Sequence, residues 1–170
     1  TALAMQPAAL GGAPGAGQYD LPPRNVILMI ADGMGYNHAD AAWLYASDRS
    51  GAQVYRQFPH QYAVSTYAFG TPGYDPEHWA QKDFQYPKNY PTDSAAAGTA
   101  LATGVKTVTG TIGMGPDKLT VLENAVERAE REGKSTGVVT SVYFTDATPA
   151  AFVAHEAVRK DLALASIAHQ

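Results

Sequence analysis

Cysteine is absent from this 170-residue chain. Disulfide bonds and zinc–thiolate sites are therefore excluded, so that only Asp, Glu, His, hydroxyl groups and water could hold a metal ion. Long apolar runs are absent too, since none approaches the ~20 residues that span a bilayer. Charged residues make up 16% of the chain and the formal net charge is -4. This balance predicts no overall attraction to nucleic acid or to an anionic membrane.

The N-terminal residues 1–24 are rich in alanine, glycine and proline, which predicts a flexible or loosely packed arm before a folded region over 25–170. Ala2-Leu3-Ala4 has the small-x-small form of signal-peptide cleavage sites. Two interpretations stay open at this point. The tripeptide is either the remnant of a cleaved signal peptide, which would favour a periplasmic or secreted protein, or part of a plain alanine-rich tail.

Alternating strand and helix patterns follow the arm. Apolar or β-branched runs predict strands over 26–31, 62–69 and 137–140. Helices are predicted over 37–46, 95–102 and 118–132, and a further helix from Pro149 through His155 and Arg159. This order predicts an α/β fold, a three-layer α/β/α sandwich with a largely parallel central sheet. A helical pattern over 161–167 runs almost to Gln170 without a glycine cap, so we expect the sandwich to be incomplete in this chain.

Ser94 lies at the predicted start of an alanine-rich helix, directly after Asp93. The backbone N–H groups of a first helical turn are unpaired and the helix dipole is positive there, so a serine at this point can meet a phosphate group. The small side chains that follow leave room for a phosphoryl group. The alternative is structural and, for this segment alone, the commoner one: Asp93 or Ser94 merely caps the helix.

Oxygen-bearing side chains also follow two predicted strands. Asp32 ends the first strand in an Asp-Gly-x-Gly turn, and Asp146 and Thr148 lie two residues apart in the loop after the last strand. Such oxygens suit a hard divalent cation such as magnesium. Arg159 would lie nearly three turns along the helix that begins at Pro149, and its guanidinium matches two phosphate oxygens. Each residue also has an ordinary role as a turn, cap or surface residue.

Three segments together resemble the alkaline phosphatase family. They are N-V-I-L-M-I-A-D-G-M-G over 25–35, T-D-S-A-A-A-G-T-A over 92–100, and the segment over 137–155 that contains D-A-T-P-A-A-F-V-A-H. The first resembles the family's first strand motif, the second its nucleophile motif and the third its magnesium loop. The Asp-x-Thr form of that loop is similar to bacterial members rather than to animal ones.

The resemblance implies a catalytic role for three residues. Ser94 would be the nucleophile that attacks phosphorus, and Arg159 would bind the non-bridging oxygens of the substrate. Asp93 would help to orient that arginine. The implied reaction is the hydrolysis of small phosphate monoesters through a phosphoserine intermediate.

The resemblance also implies two zinc ions and one magnesium ion. Asp32 would bridge one zinc and the magnesium, Ser94 would contact the same zinc, and Asp146 and Thr148 would hold magnesium. Family members are more than twice as long as this chain, and their remaining ligands lie further along the sequence. We therefore expect activity only together with a C-terminal remainder, and a homodimer is a further expectation by analogy. A phosphodiesterase, another member of the superfamily and a non-catalytic domain of the same fold are the alternatives.

Overall fold

The structure is a computed structural model, and it describes residues 25–46, 53–73, 75, 77 and 85–161. The predicted arm over 1–24 lies outside the described residues, as do residues 162–170. The α-helices with described bounds are α1 (Tyr36–Tyr45), α2 (Tyr86–Asn89), α3 (Ser94–Thr103), α4 (Ala125–Arg131) and α5 (Ala147–Ala150), with 3-10 turns at Val54–Gln57 and Arg159–Asp161.

The helices predicted over 37–46 and 95–102 correspond to α1 and α3. Helix α3 has local signals at both ends. The Asp93 carboxylate accepts a hydrogen bond from the Ala96 N–H at its start, and Gly104 adopts a left-handed φ of 76° at its end. These two residues explain why so short an alanine-rich segment begins and ends where it does.

The prediction of a helix over 118–132 was too long, because α4 covers only Ala125–Arg131. Asn124 caps this helix in a capping box with Glu127. The residues before the cap form a turn instead, in which the Asp117 carboxylate accepts hydrogen bonds from the Leu119 and Thr120 N–H groups. An aspartate that satisfies the backbone in this way competes with helix formation.

The prediction of a long helix from Pro149 through His155 and Arg159 was wrong. Helix α5 ends at Ala150, and the chain then turns, with the Val153 and Ala154 N–H groups both donating to the Ala150 carbonyl. Arg159 instead opens a separate 3-10 turn. The spacing between Pro149 and Arg159 is therefore set by a turn rather than by helical periodicity.

The segments predicted as strands over 26–31, 62–69 and 137–140 form no strand in the described part of the chain, where β-pairing is limited to the isolated bridges Ile112–Glu156 and Met114–Val121. Most of the apolar side chains in these three segments are exposed. A strand needs a neighbour for its N–H and C=O groups. Among the described residues, a single long-range backbone hydrogen bond reaches these segments, from the Phe69 N–H to the Thr107 carbonyl at 2.9 Å, and it forms no ladder. The predicted sheet is thus not seen here.

The core lies between α3 and α5. Its buried members are mostly small, which lets the two helices approach closely: they are Ala95, Ala102, Ile112, Ala147, Ala150, Ala151, Phe152 and Ala154. The approach is tightest at Gly98, where an added Cβ would lie 3.1 Å from the Cβ of Ala151. The helices in the described ranges lack the length and hydrophobicity of a membrane-spanning segment.

Candidate active site

Ser94 is the first residue of α3 and is half-buried. Because Asp93 provides the cap, the Ser94 hydroxyl is available for another partner. Its Oγ lies 3.2 and 3.1 Å from the two carboxylate oxygens of Asp32, to which it donates. The structure thus joins the two residues across 62 positions of sequence and places the hydroxyl at the positive end of a helix.

Thr148 completes this contact from α5. Its Oγ1 donates to Oδ2 of Asp32 at 2.8 Å. The close approach of the two helices makes this possible, since a Cβ on Gly98 would lie 3.6 Å from the Thr148 Cα. Asp146 is the N-cap residue of α5 and is half-buried, but its carboxylate does not cap the helix.

The group formed by Asp32, Ser94 and Thr148 offers one carboxylate and two hydroxyl groups. Such an all-oxygen set suits a hard cation such as magnesium and gives part of the six oxygen ligands that this ion requires. The uncapped carboxylate of Asp146 belongs to the same short helix as Thr148. The described residues contain no group of three or more His, Cys, Asp and Glu side chains that could hold a metal. The oxygen atoms of Asp32, Ser94 and Thr148 therefore fit part of a magnesium site. No imidazole from the described residues joins them there as a zinc ligand.

Arg159 lies beside Asp93 rather than on the expected helix. Its guanidinium nitrogen is 3.3 Å from Asp93 Oδ2, and the two side chains are 38% and 20% exposed. The same carboxylate oxygen accepts the Gly110 N–H at 3.0 Å, and the Arg159 N–H donates to the Gly110 carbonyl at 2.7 Å. The arginine is thus attached by both its backbone and its side chain, and it is half-buried near the first turn of α3.

Residues of the loop over 110–113 were missed by sequence reasoning. Gly110 bonds to Asp93 and Arg159, and Gly113 donates to the hydroxyl of the buried Thr99 at 2.9 Å. The glycines of T-G-T-I-G predict a turn. The partners of these glycines lie far away in sequence, so no local sequence pattern identifies those partners.

His155 also has a partner that sequence reasoning missed. The sequence His155-Glu156-x-x-Arg159 resembles a zinc-protease motif that lacks its last histidine. The His155 imidazole instead makes hydrogen bonds within the protein. Its Nδ1 lies 2.7 Å from the Gly113 carbonyl and its Nε2 lies 2.7 Å from Glu127 Oε1. Burial tends to raise the pKa of Glu127, but hydrogen bonds from His155 and from the Asn124 N–H, together with the His155 charge, hold that pKa below its ordinary value.

Comparison with known proteins identifies a family. The family model for alkaline phosphatase matches residues 23–170. The chain is 38% identical over 139 residues to alkaline phosphatase 4 of Bacillus subtilis, with 82% of this chain and 27% of the relative covered. It is 37% identical to the alkaline phosphatase of Escherichia coli, with 83% and 27% covered. The chain thus spans about a quarter of the length of the curated relatives it matches.

Solved structures agree with the sequence comparison. The alkaline phosphatase of the Antarctic bacterium TAB5 matches with a TM-score of 0.64 and 32% identity, over 82% of this chain and 34% of that one. A mutant of the TAB5 enzyme, solved with Mg bound in its M3 site, matches with a TM-score of 0.55 and 30% identity, over 73% and 30%. These neighbours give the described residues the fold of part of an alkaline phosphatase. The chain belongs to the alkaline phosphatase family.

Proposed function

We propose that this chain supplies the nucleophile, the phosphate-binding arginine and part of the metal site of a phosphate monoesterase. The observation that carries the proposal is the geometry around the start of α3. Ser94 donates to Asp32 there, and the residue before it, Asp93, holds Arg159. A nucleophilic hydroxyl, a helix N-terminus and a guanidinium thus lie at one place, which suits a phosphoryl group and its charge.

In the proposed reaction, Ser94 Oγ forms a bond to phosphorus while the bond to the leaving alcohol breaks in line with it. The Ser94 proton passes to solvent and the alcohol leaves with a proton from solvent. Water then hydrolyses the phosphoserine to free serine and phosphate. Arg159 pairs with two non-bridging oxygens throughout, because its planar fork matches their spacing. Asp32 sets the direction of the Ser94 hydroxyl, and Asp93 prevents the arginine from turning away.

Two zinc ions and one magnesium ion, as the family resemblance implies, would supply Lewis-acid stabilisation of the nucleophile, the leaving oxygen and the phosphate charge. In this chain Asp32, Ser94, Asp146 and Thr148 would be ligands. The described residues offer too few ligands for three ions. We therefore assign the remaining ligands to a C-terminal part of the protein, and activity would require that part.

The same C-terminal part would complete the three-layer sandwich. It would give neighbours to the exposed segments over 26–31 and 137–140, which would then pair as central strands of a parallel sheet. A periplasmic or secreted location and a homodimer follow from the family resemblance, and small phosphate monoesters would be the substrates.

The test compares the full-length gene product with this chain alone, each with zinc and magnesium. We expect the full-length protein to hydrolyse para-nitrophenyl phosphate much faster than bis-para-nitrophenyl phosphate, and the chain alone to be inactive. A phosphoserine trapped by acid should map to Ser94 by mass spectrometry. Ser94→Ala should abolish both signals, and Ser135→Ala, at an exposed serine, should change neither.

Each other outcome identifies a different function. Faster cleavage of the diester would indicate a phosphodiesterase. Full-length protein with neither turnover nor phosphoserine would indicate a non-catalytic domain. Activity of the chain alone would contradict the requirement for a C-terminal part.

A further inference from the structure

Thr99 is fully buried in α3 and its hydroxyl has two partners in the loop over 110–113. Its Oγ1 donates to the Thr111 carbonyl at 3.1 Å and accepts from the Gly113 N–H at 2.9 Å. The hydroxyl thus uses its one donor and one of its two acceptor lone pairs in the interior. Thr99 therefore links the helix that begins at Ser94 to this loop through two hydrogen bonds.

The loop is attached to α3 at a second place. The Gly110 N–H donates to Asp93, which caps the helix. Asp93 and Thr99 are six residues apart, or about 9 Å along a helix axis at the usual rise per residue. One attachment would let the loop pivot about the start of α3, whereas two attachments along the axis fix its direction.

The other side of the loop carries the arginine segment. The Ile112 and Glu156 backbones exchange hydrogen bonds of 2.9 and 2.8 Å, the Thr111 hydroxyl donates to the Ala157 carbonyl at 3.2 Å, and the Arg159 N–H donates to Gly110. The loop is thus hydrogen-bonded to α3 on one side and to residues 156–159 on the other. Its position sets where the Arg159 backbone lies relative to Ser94.

We propose that Thr99 is a positioning residue that acts through the loop over 110–113 to hold the Arg159 guanidinium beside Asp93, the residue before Ser94, and so sets the affinity of the site for phosphate. This inference rests on the proposed function, because it assigns the arginine to a phosphate group. Thr99 touches neither the phosphate nor a reacting atom. Its effect reaches the site only through the position of Arg159.

The test uses Thr99→Val, which keeps the branched shape of the side chain and removes the hydroxyl, and Thr99→Ser, which keeps the hydroxyl. Both are made in the full-length protein with zinc and magnesium. Binding of inorganic phosphate is measured by calorimetry on folded protein, and KM and kcat are measured with para-nitrophenyl phosphate. We expect Thr99→Val to weaken phosphate binding about tenfold, because a tenfold change in Kd corresponds to the net free energy of about one hydrogen bond. Thr99→Ser should bind phosphate like the parent.

Two controls separate positioning from general stability. Thr103→Val makes the same chemical change on α3, but the Thr103 hydroxyl donates to the Thr99 carbonyl within the helix, so phosphate binding should not change. In an Arg159→Ala background, Thr99→Val should cause no further loss, because the residue through which it acts is gone. If Thr99→Val does not fold, Thr111→Val, which removes the bond to Ala157, should weaken phosphate binding in the same direction.

Phosphate binding by folded Thr99→Val that equals the parent's would overturn the inference, as would an equal loss in the Arg159→Ala background. Failure of the proposed function looks different. In that case the parent protein itself would show no Ser94-dependent turnover, whatever Thr99→Val did to phosphate binding.

Discussion

The carboxylate of Asp93 accepts three hydrogen bonds at the start of α3. Its Oδ1 accepts from the Ala96 N–H, and its Oδ2 accepts from the Gly110 N–H and from Arg159. One side chain therefore caps the helix and holds the arginine. The ion pair is partly open to solvent, so we expect it to contribute little to stability and mainly to fix geometry.

Asp93→Asn should separate these two roles. The amide oxygen can still accept from the Ala96 N–H, but the amide nitrogen would face the donors of Gly110 and Arg159. We expect the free energy of unfolding to fall by about 1 kcal/mol or less, and phosphate affinity to fall about threefold to tenfold. Urea unfolding and calorimetric phosphate titration measure the two effects. Asp93→Ala, which also loses the cap, should unfold more easily than Asp93→Asn, and unchanged phosphate binding in both would contradict this role.

At the scale of elements, the packing of α3 against α5 determines whether Thr148 reaches Asp32. The contact depends on Gly98, since an added Cβ there would lie 3.1 Å from the Ala151 Cβ and 3.5 Å from the Ala147 carbonyl. Both neighbours belong to α5 or its C-terminal end and cannot move without moving the helix. Packing at this point therefore controls the oxygen group of the candidate metal site.

Gly98→Val should push α5 away from α3. We expect a loss of about 1–3 kcal/mol in the free energy of unfolding from overpacking, and weaker magnesium binding because Thr148 moves away from Asp32. Thermal unfolding with and without added magnesium measures both. Leu101→Val introduces the same β-branched side chain at an exposed position of α3. Added magnesium should raise the unfolding temperature of this variant as much as that of the parent. An equal response of the two variants to magnesium would contradict the proposed dependence.

The ion pair between Glu127 and His155 links helix α4 to the segment after α5, beside the packing of Val126 against the core. The folded structure lowers the pKa of Glu127 from its ordinary value of 4.5. A carboxylate with a lowered pKa stabilises the folded state at pH values above its ordinary pKa, and this contribution is lost as the pH falls through the lowered pKa.

We expect Glu127→Gln to be less stable than the parent near neutral pH, with the difference shrinking in acid. Urea unfolding at a series of pH values measures it, and Glu130→Gln, at a surface position of α4, is the matched control. A difference that grows in acid would contradict the assignment.

At the scale of the whole molecule, the apolar segments over 26–31 and 137–140 are exposed. Val26, Ile27 and Met29 are 86%, 85% and 89% exposed. Contiguous exposed apolar surface of this kind usually marks a contact with another part of a protein. We expect the chain alone to bind the dye ANS strongly and the full-length protein to bind it weakly, as fluorescence would show. Weak dye binding by both would mean that these segments are covered within this chain.

How much of this could be predicted from the sequence differs from feature to feature. Helix α3 was predictable because its signals, Asp93 and Gly104, are local. The turn after α5 was not, because residues 156–159 follow their pairing with the loop over 110–112 instead of continuing the helix. The predicted strands form no hydrogen-bonded ladder among the described residues, and a strand is defined by its ladder with a neighbour.

The candidate site was also predictable only in part from the sequence. Its residues Asp32, Ser94, Asp146, Thr148 and Arg159 were predicted from their chemistry and from the family resemblance. The structure adds that Thr148 bonds to Asp32 and that Arg159 depends on Gly110. These links join positions far apart in sequence, so hydrophobic periodicity and motif spacing carry no information about them.

The double use of Asp93 has a consequence for how such a protein can change over generations. The codons of aspartate and asparagine differ by a single base, and asparagine is a neutral side chain that caps a helix about as well as aspartate. A point mutation at this codon would therefore loosen the arginine while α3 stays capped. If Arg159 binds phosphate as proposed, the affinity for phosphate would thus be open to selection at Asp93 in one genetic step, without an accompanying loss of the fold.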